Sequence, residues 1–326
     1  MLYIIISNYN SEKTISGTLD SLIDAIRVLK ASSLHRVRCK IIVVDDCSTD
    51  GSLDIVKNYK GHYPELIQIV RNWRNRGAGW SRRIGLRYVK KNKDNWVSFI
   101  DSDDTVKPDY YVQHFKYVDN PEIDIISGSI TLYNPKASKE EDIYKAWAVQ
   151  DRYVTENLNE EMFKDEIYFC NNKLFRANLF NKVKYSKSRF IEDVPTEVKL
   201  CLNARALQII NNQGYVYYQR PDSLIHNSDE VKRNIYNTLA RIDCYKYFTK
   251  HFKGQEVPKQ FNLKSIVLNL ALLKVNKIDM DEVRKLYPKE LKTIEKFINK
   301  KLKEHKKKLK EQDIKDKSVT DESIIS

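Results

Sequence analysis

Short apolar, β-branched runs that each end in a polar or acidic cluster constrain this 326-residue chain more than any other feature. Leu2 to Ser7 is such a run, followed by Asn8-Tyr9-Asn10 and then by Ile15, Leu19, Leu22, Ile23 and Ile26 at helical spacing. Lys40 to Val44 repeats the plan, leading into Asp45 to Ser52, and Leu53, Val56 and Tyr59 begin a second helix with Asp50 or Ser52 as its cap. Leu66 to Val70 reads as a third strand, Arg82 to Lys90 as a helix, and Trp96 to Ile100 as a fourth strand ending in Asp101-Ser102-Asp103-Asp104. Strands alternating with helices build a parallel sheet. Ligands bind beyond the carboxyl ends of such strands, so one crevice can collect all the polar ends.

From Ile123 onward the rhythm changes. Ile125 to Ile130 and Val216 to Gln219 are strand-like, and the stretch between them is rich in aromatic and charged residues. After Asn227 helical patterns dominate: Val231, Ile235, Leu239 and Ile242, then Ile266 to Leu273, then Leu291, Ile294, Phe297, Ile298 and Leu302. The expected organisation is an α/β domain over 1–228, a helical region over 229–299, and a Lys-rich helix end with a flexible tail over 300–326, the helix continuing through Leu309.

Lys and Arg number 57 against 44 Asp and Glu, a net charge of +13 that favours anionic partners without choosing among nucleotides, nucleic acid and an acidic membrane face. The five cysteines are scattered, with no CxxC or Cys/His cluster, which points away from a zinc site or disulfide framework and toward a reducing cytoplasm. No apolar stretch approaches the ~18 residues of a membrane span, and the N-terminus starts as a buried strand rather than a signal peptide. GxxxxGK[ST], GxGxxG and GxSxG motifs are absent, which disfavours a P-loop enzyme, a dinucleotide oxidoreductase and a serine hydrolase. His114, His226 and His251 lack metal spacing and read as surface or satisfied core residues.

Asp101, Asp103 and Asp104 carry the strongest chemical signal. Carboxylates this close repel one another unless a cation intervenes, and hard divalent ions take oxygen ligands and bridge to phosphate. Alone, the cluster reads first as an acidic turn capping the next helix, and Glu192-Asp193 as the acidic first turn of a helix continuing through Val198, Leu200 and Leu202. Tyr9 is a stacking aromatic or a partly buried core residue, and Asp46 a binding or a turn residue.

Taken together, the motifs resemble family 2 glycosyltransferases of the GT-A fold, a Rossmann-like, mostly parallel sheet flanked by helices. The first strand ends in Tyr9-Asn10, the second in Asp45-Asp46-Cys-Ser-Thr-Asp50-Gly51, an Asn75-Arg-Gly77 element precedes a segment carrying Arg82, and the DxD-type cluster follows. Arg83 stands where the family often has Asn. Phe190-Ile-Glu192-Asp193 resembles the family's Glu-Asp pair, and Tyr215 to Ser223 its late strand followed by Arg-x-x-Ser. The resemblance spans roughly residues 2 to 225.

The resemblance implies a nucleotide-sugar site made of Ser7, Tyr9, Asn10, Asp46, Asn75, Arg82, Asp101, Ser102, Arg220 and Ser223. Tyr9 would stack on the base, Asp46 accept its imide N–H, Asp101 accept from ribose hydroxyls, and Arg220 with Ser223 donate to the diphosphate. Asp103 with Asp104 would hold Mn²⁺ or Mg²⁺, and Asp193 would act as general base with Glu192 beside it. Asn171, Asn172 and Lys173 fall on the acceptor side. The implied activity is metal-dependent, inverting transfer of a sugar from a nucleotide diphosphate, UDP foremost, to a hydroxyl on a surface polysaccharide, teichoic or lipid-linked glycan. The basic C-terminal helices would hold the enzyme at the inner membrane face. Two alternatives are a transferase acting on modified DNA bases, which suits the positive charge equally, and a non-catalytic protein that keeps the fold; the intact acids oppose the second.

Overall fold

Each apolar run of the N-terminal part is a strand, and register brings their polar ends to one edge. A computed structural model describes residues 1–32, 37–136, 144–158, 160–161, 169–186, 191–219, 230–253, 256–266 and 284–322. Strands β1 (Leu2–Asn8), β2 (Cys39–Asp45), β3 (Ile67–Arg71) and β4 (Trp96–Asp101) pair in parallel in the order β3-β2-β1-β4. The pairing sets Ser7 beside Val44 and Asp101, and Asn8 beside Asp45.

Both faces of this sheet are buried, which is why the runs are nearly continuous in apolar residues rather than alternating. Leu2, Ile4, Ile6, Ile41 and Val43 share a core with Ile15, Leu19, Leu22 and Ile26 of helix α1 (Ile15–Ala31). Tyr3, Ile5, Ile42, Val44, Val97 and Phe99 fill a second core that includes Phe175, Phe180 and Tyr185. Helix α2 (Ser52–His62) has Gly51 rather than the expected Asp50 or Ser52 at its N-cap, and Asp50 Oδ1, one residue earlier, accepts from Ser52 N–H at 3.1 Å. Helix α3 (Ala78–Gly85) starts before the expected Arg82 and gives way to a short 3₁₀ turn at Leu86–Tyr88.

The second half adds β5 (Thr105–Val106), helix α4 (Tyr110–Phe115), β6 (Ile123–Ser127), β7 (Ile130–Tyr133), β8 (Tyr144–Trp147), β9 (Arg152–Val154), β10 (Lys173–Arg176), helix α5 (Leu179–Lys182), helix α6 (Asp193–Asn203), β11 (Ala206–Ile209) and β12 (Tyr215–Tyr218). Among the described residues the large sheet runs β3-β2-β1-β4-β10-β6-β11-β9 and a small sheet runs β5-β12-β7-β8. The sheet is mostly parallel near the site, with β10 inserted antiparallel between β4 and β6. The run Ile125 to Ile130, expected as one strand, is two strands in different sheets. Asn172 pins the break, its backbone C=O accepting from Gly128 N–H at 2.9 Å and its Nδ2 donating to Gly128 O at 2.5 Å.

The chain divides into two compact units, Met1–Asn227 and Ser228–Ser326. In the second, helix α7 (Glu230–His251) and helix α8 (Pro288–Glu322) share a core of Ile235, Ile242, Ile266, Leu291, Ile294 and Phe297. The last helix runs past Leu309 to Glu322, and the expected pattern from 267 to 273 lies outside the described residues. No helix among the described residues is long and apolar enough to cross a membrane.

Candidate active site

Asn8, at the end of β1, is wholly buried and donates through Nδ2 to Asp45 Oδ1 at 2.9 Å and to Ser48 Oγ at 3.3 Å, locking the ends of β1 and β2 together. Asn10 has a left-handed backbone (φ 47°), and its Oδ1 accepts from Thr49 N–H at 2.8 Å. Tyr9, between them, is 46% exposed and presents its ring at the strand ends. Ser7 is half-buried in β1.

Asp46 is nearly inaccessible, and its oxygens are engaged within the protein. Oδ1 accepts from Asn72 Nδ2 at 2.7 Å, while Oδ2 accepts from the N–H groups of Arg76 and Gly77 at 2.8 and 2.6 Å. In the structure Asp46, expected at the base, holds the Asn75-Arg76-Gly77 turn, where Asn75 is half-buried. Gly77 sits at φ 88°, a conformation open to glycine, and that turn launches α3 earlier than apolar spacing indicates.

Helix α3 delivers Arg82, which is 2% exposed and lies among three carboxylates. Its Nη1 donates to Glu192 Oε1 and Asp193 Oδ1, each at 2.8 Å, and to the Tyr185 hydroxyl at 3.0 Å. Its Nη2 donates to Asp101 Oδ1. Burial alone would lower the guanidinium pKa, but Asp101, Asp193, Tyr185 and Glu192 together raise it well above the ordinary value. Arg82, expected among the nucleotide contacts, ties the end of β4 to the Glu192-Asp193 segment. Tyr185, which no motif in the sequence marks, is buried and donates its hydroxyl to Asp193 Oδ1.

The loop is strained as well as tied. Ile191 occupies the left-handed region (φ 53°), where a β-branched residue costs on the order of 1–3 kcal/mol, and the contacts of Glu192 and Asp193 hold it there. Burial, and then the neighbouring Asp193, push the Glu192 carboxyl up to about 7 against the opposing pull of Arg82.

At the end of β4, Asp101, Asp103 and Asp104 each offer an oxygen, all within 4.8 Å of one another. Asp104 is fully buried; its Oδ2 accepts from the Tyr215 hydroxyl at 2.5 Å and its Oδ1 from Tyr218 N–H at 3.0 Å. Burial, then Asp103, then Asp101 raise the Asp104 pKa well above the carboxylate range, a repulsion that a bound cation relieves. Oxygen ligands in this arrangement fit a hard divalent ion. Ser102 contributes its carbonyl to Thr14 Oγ1 at 2.9 Å, fastening the cluster to the start of α1.

Asn171 reaches the cluster directly, donating to Asp101 Oδ2 at 2.6 Å, and its own Oδ1 is buried without a hydrogen-bond partner. Asn172 and Lys173 are fully buried: Asn172 pins Gly128, and Lys173 Nζ donates to Asn172 Oδ1 at 2.7 Å and to Phe169 O. Both residues, expected on the acceptor side, are out of solvent at the start of β10. Arg220 and Ser223 lie outside the described residues.

The sequence model described as Glycosyl transferase family 2 matches residues 3–184. A poly(ribitol-phosphate) beta-glucosyltransferase of Bacillus spizizenii is 26% identical over 224 residues, 67% of this chain and 32% of that protein. The poly(ribitol-phosphate) beta-N-acetylglucosaminyltransferase TarS of Staphylococcus aureus is 25% identical over 66% of this chain and 35% of its own length. The chain thus spans about a third of these relatives. The crystal structure of S. aureus TarS 1-349 with UDP-GlcNAc superposes with a TM-score of 0.59 at 20% identity, covering 78% of this chain and 73% of that one. Mannosyltransferase PcManGT from Pyrobaculum calidifontis, solved with GDP-Man and Mn²⁺, superposes with a TM-score of 0.51 at 15% identity over 84% of this chain and 75% of that one. With its polar strand ends gathered on one edge of such a sheet and the family pattern covering residues 3–184, this chain belongs to glycosyl transferase family 2, a family of glycosyltransferase enzymes, and carries the GT-A fold.

Proposed function

We propose that this protein transfers a sugar from a nucleoside diphosphate, UDP foremost, to a hydroxyl of a polyol-phosphate or related surface-glycan acceptor, with inversion at the anomeric carbon. The observation that carries the reading is Arg82, which brings the Asp101 end of the acidic cluster and the Glu192-Asp193 loop to a single guanidinium. A donor lying along the strand ends would have its base against Tyr9 and its diphosphate toward Asp101 and Asp103. Asp103 with Asp104 would hold Mn²⁺ or Mg²⁺, with Asp101 completing the acidic cluster. When bound, that ion supplies Lewis-acid stabilisation of the departing diphosphate. Asp193 accepts the acceptor's proton, its carboxylate held in place by Arg82 and Tyr185, with Glu192 beside it on the same guanidinium. The names of the Bacillus and Staphylococcus relatives support a poly(ribitol-phosphate)-like acceptor, and the +13 charge suits such a polyanion. Activity in the cytoplasm, with the basic last helix resting on an anionic membrane face, is consistent with that charge.

Calorimetric titration with UDP tests this, with and without Mn²⁺, on the wild type and on Asp103→Ala. Binding that needs the ion and weakens by about tenfold or more in the variant supports the reading. No binding of UDP, GDP, CDP or dTDP overturns it.

A further inference from the structure

Three tyrosines stand in one cross-strand row at the end of the small sheet. Tyr218 pairs with Tyr133 across β12 and β7, and Tyr133 pairs with Tyr144 across β7 and β8. The ring centroids are 4.8 Å and 4.7 Å apart. Two residues back along the strands, on the same face, Val216 and Thr131 are buried. The row is therefore where this face emerges into solvent: Tyr133 and Tyr218 are half-buried, and Tyr144 is 61% exposed. The row also starts at the acidic cluster, because the backbone N–H of Tyr218 donates to Asp104 Oδ1 at 3.0 Å. From there it crosses two strands away from the carboxylates.

We infer that Tyr218, Tyr133 and Tyr144 form a platform for the acceptor chain, which they contact through its sugar rings or polyol units. This rests on the glycosyl-transfer reading above. Tyr144 carries most of the row's exposed surface, and the half-buried Tyr133 and Tyr218 continue it toward Asp104. A sugar or polyol presents C–H groups on one side and hydroxyls around its rim, which matches a phenol with an apolar ring and a polar tip. Location selects the occupant. An acceptor whose hydroxyl meets the donor at the acidic cluster must extend away from it, and the tyrosine row leads outward from Asp104. The role of Asp104 is then double, since the residue that supports the carboxylate cluster also fixes the strand on which the platform begins.

Cross-strand aromatic pairs also stabilise sheets by themselves, so the test must separate packing from binding. Full-length wild type, Tyr144→Ala and Tyr144→Phe are titrated with poly(ribitol phosphate) and with a neutral glucan oligosaccharide, with UDP titrations and thermal melts in parallel. The platform predicts that Tyr144→Ala loses about tenfold in affinity for at least one polymer, the scale of one aromatic contact, while Tyr144→Phe retains it. UDP affinity stays with the wild type in both variants, and melting temperature falls by no more than the few degrees that loss of one cross-strand pair brings. Equal polymer affinity in wild type and Tyr144→Ala overturns the platform, as does a wild type that binds UDP but neither polymer. A matching drop in UDP affinity and melting temperature in Tyr144→Ala overturns it in favour of a packing role. A wild type that binds polymer but no nucleotide leaves the platform standing and removes the glycosyl-transfer reading instead.

Discussion

One guanidinium with three carboxylate partners leaves the Arg82 cluster with surplus negative charge, and the surplus is expressed in proton binding. Beneath the cluster, Glu197 of α6 is 1% exposed, accepting from the Cys170 thiol at 3.6 Å and the Cys201 thiol at 3.8 Å. Burial pushes its carboxyl up to about 7, with Asp193 adding to the rise and Lys173 and the Cys170 thiol opposing it. In the unfolded chain the same group releases its proton near the ordinary glutamate value of 4.5. Between these two values the native state binds more protons than the unfolded state, so this group's stabilising contribution is present below about 4.5 and is lost as pH rises to about 7. Urea denaturation as a function of pH should show that decline for the wild type and a flatter profile for Glu197→Gln, with the variant about 1–3 kcal/mol more stable at pH 8. An unchanged pH slope in the variant would assign the decline to other groups, Glu192 first.

At the scale of elements, helix α3 is the part on which the site turns, because it connects the Asp46-held turn to the Glu192-Asp193 loop. Gly79 makes this possible: a Cβ there would lie 2.5 Å from Ser186 O and 2.9 Å from Glu192 Cβ. Backbone oxygen cannot yield as a flexible side chain can, so the loop must move. Gly79→Ala should therefore lower kcat by about tenfold to a hundredfold through displacement of Asp193, while nucleotide affinity changes little. Steady-state kinetics alongside UDP titration measures the split, and a variant with wild-type kcat would show that the loop tolerates the shift. The start of this helix was not legible from apolar spacing. Ala78 to Ser81 carry no core periodicity, and what begins the helix is a positive φ at Gly77 together with two N–H groups donated to a carboxylate 30 residues earlier in sequence.

Over the whole molecule, the division into Met1–Asn227 and Ser228–Ser326 leaves both sheets and every described site residue in the first unit. A chain ending at 227 should fold cooperatively and bind UDP within about threefold of the full protein, since a unit with its own core can fold alone. Loss of cooperative unfolding in that fragment would make the C-terminal helices part of the folding unit. The sequence by itself determined the parallel sheet, the order of its first four strands in the chain and the identity of the acidic residues at their ends. Those features are local: period, strand length and terminal polarity are all written in consecutive residues. Only the tertiary structure decided that Asp46 faces a turn, that Asn172 and Lys173 are buried at the start of β10, that β10 enters antiparallel, and that Tyr185 and Arg82 organise the Glu192-Asp193 pair. A carboxylate or lysine has no role until burial removes its water and fixes its partners, and those partners come from segments about 30 to 110 residues apart, beyond any sequence period.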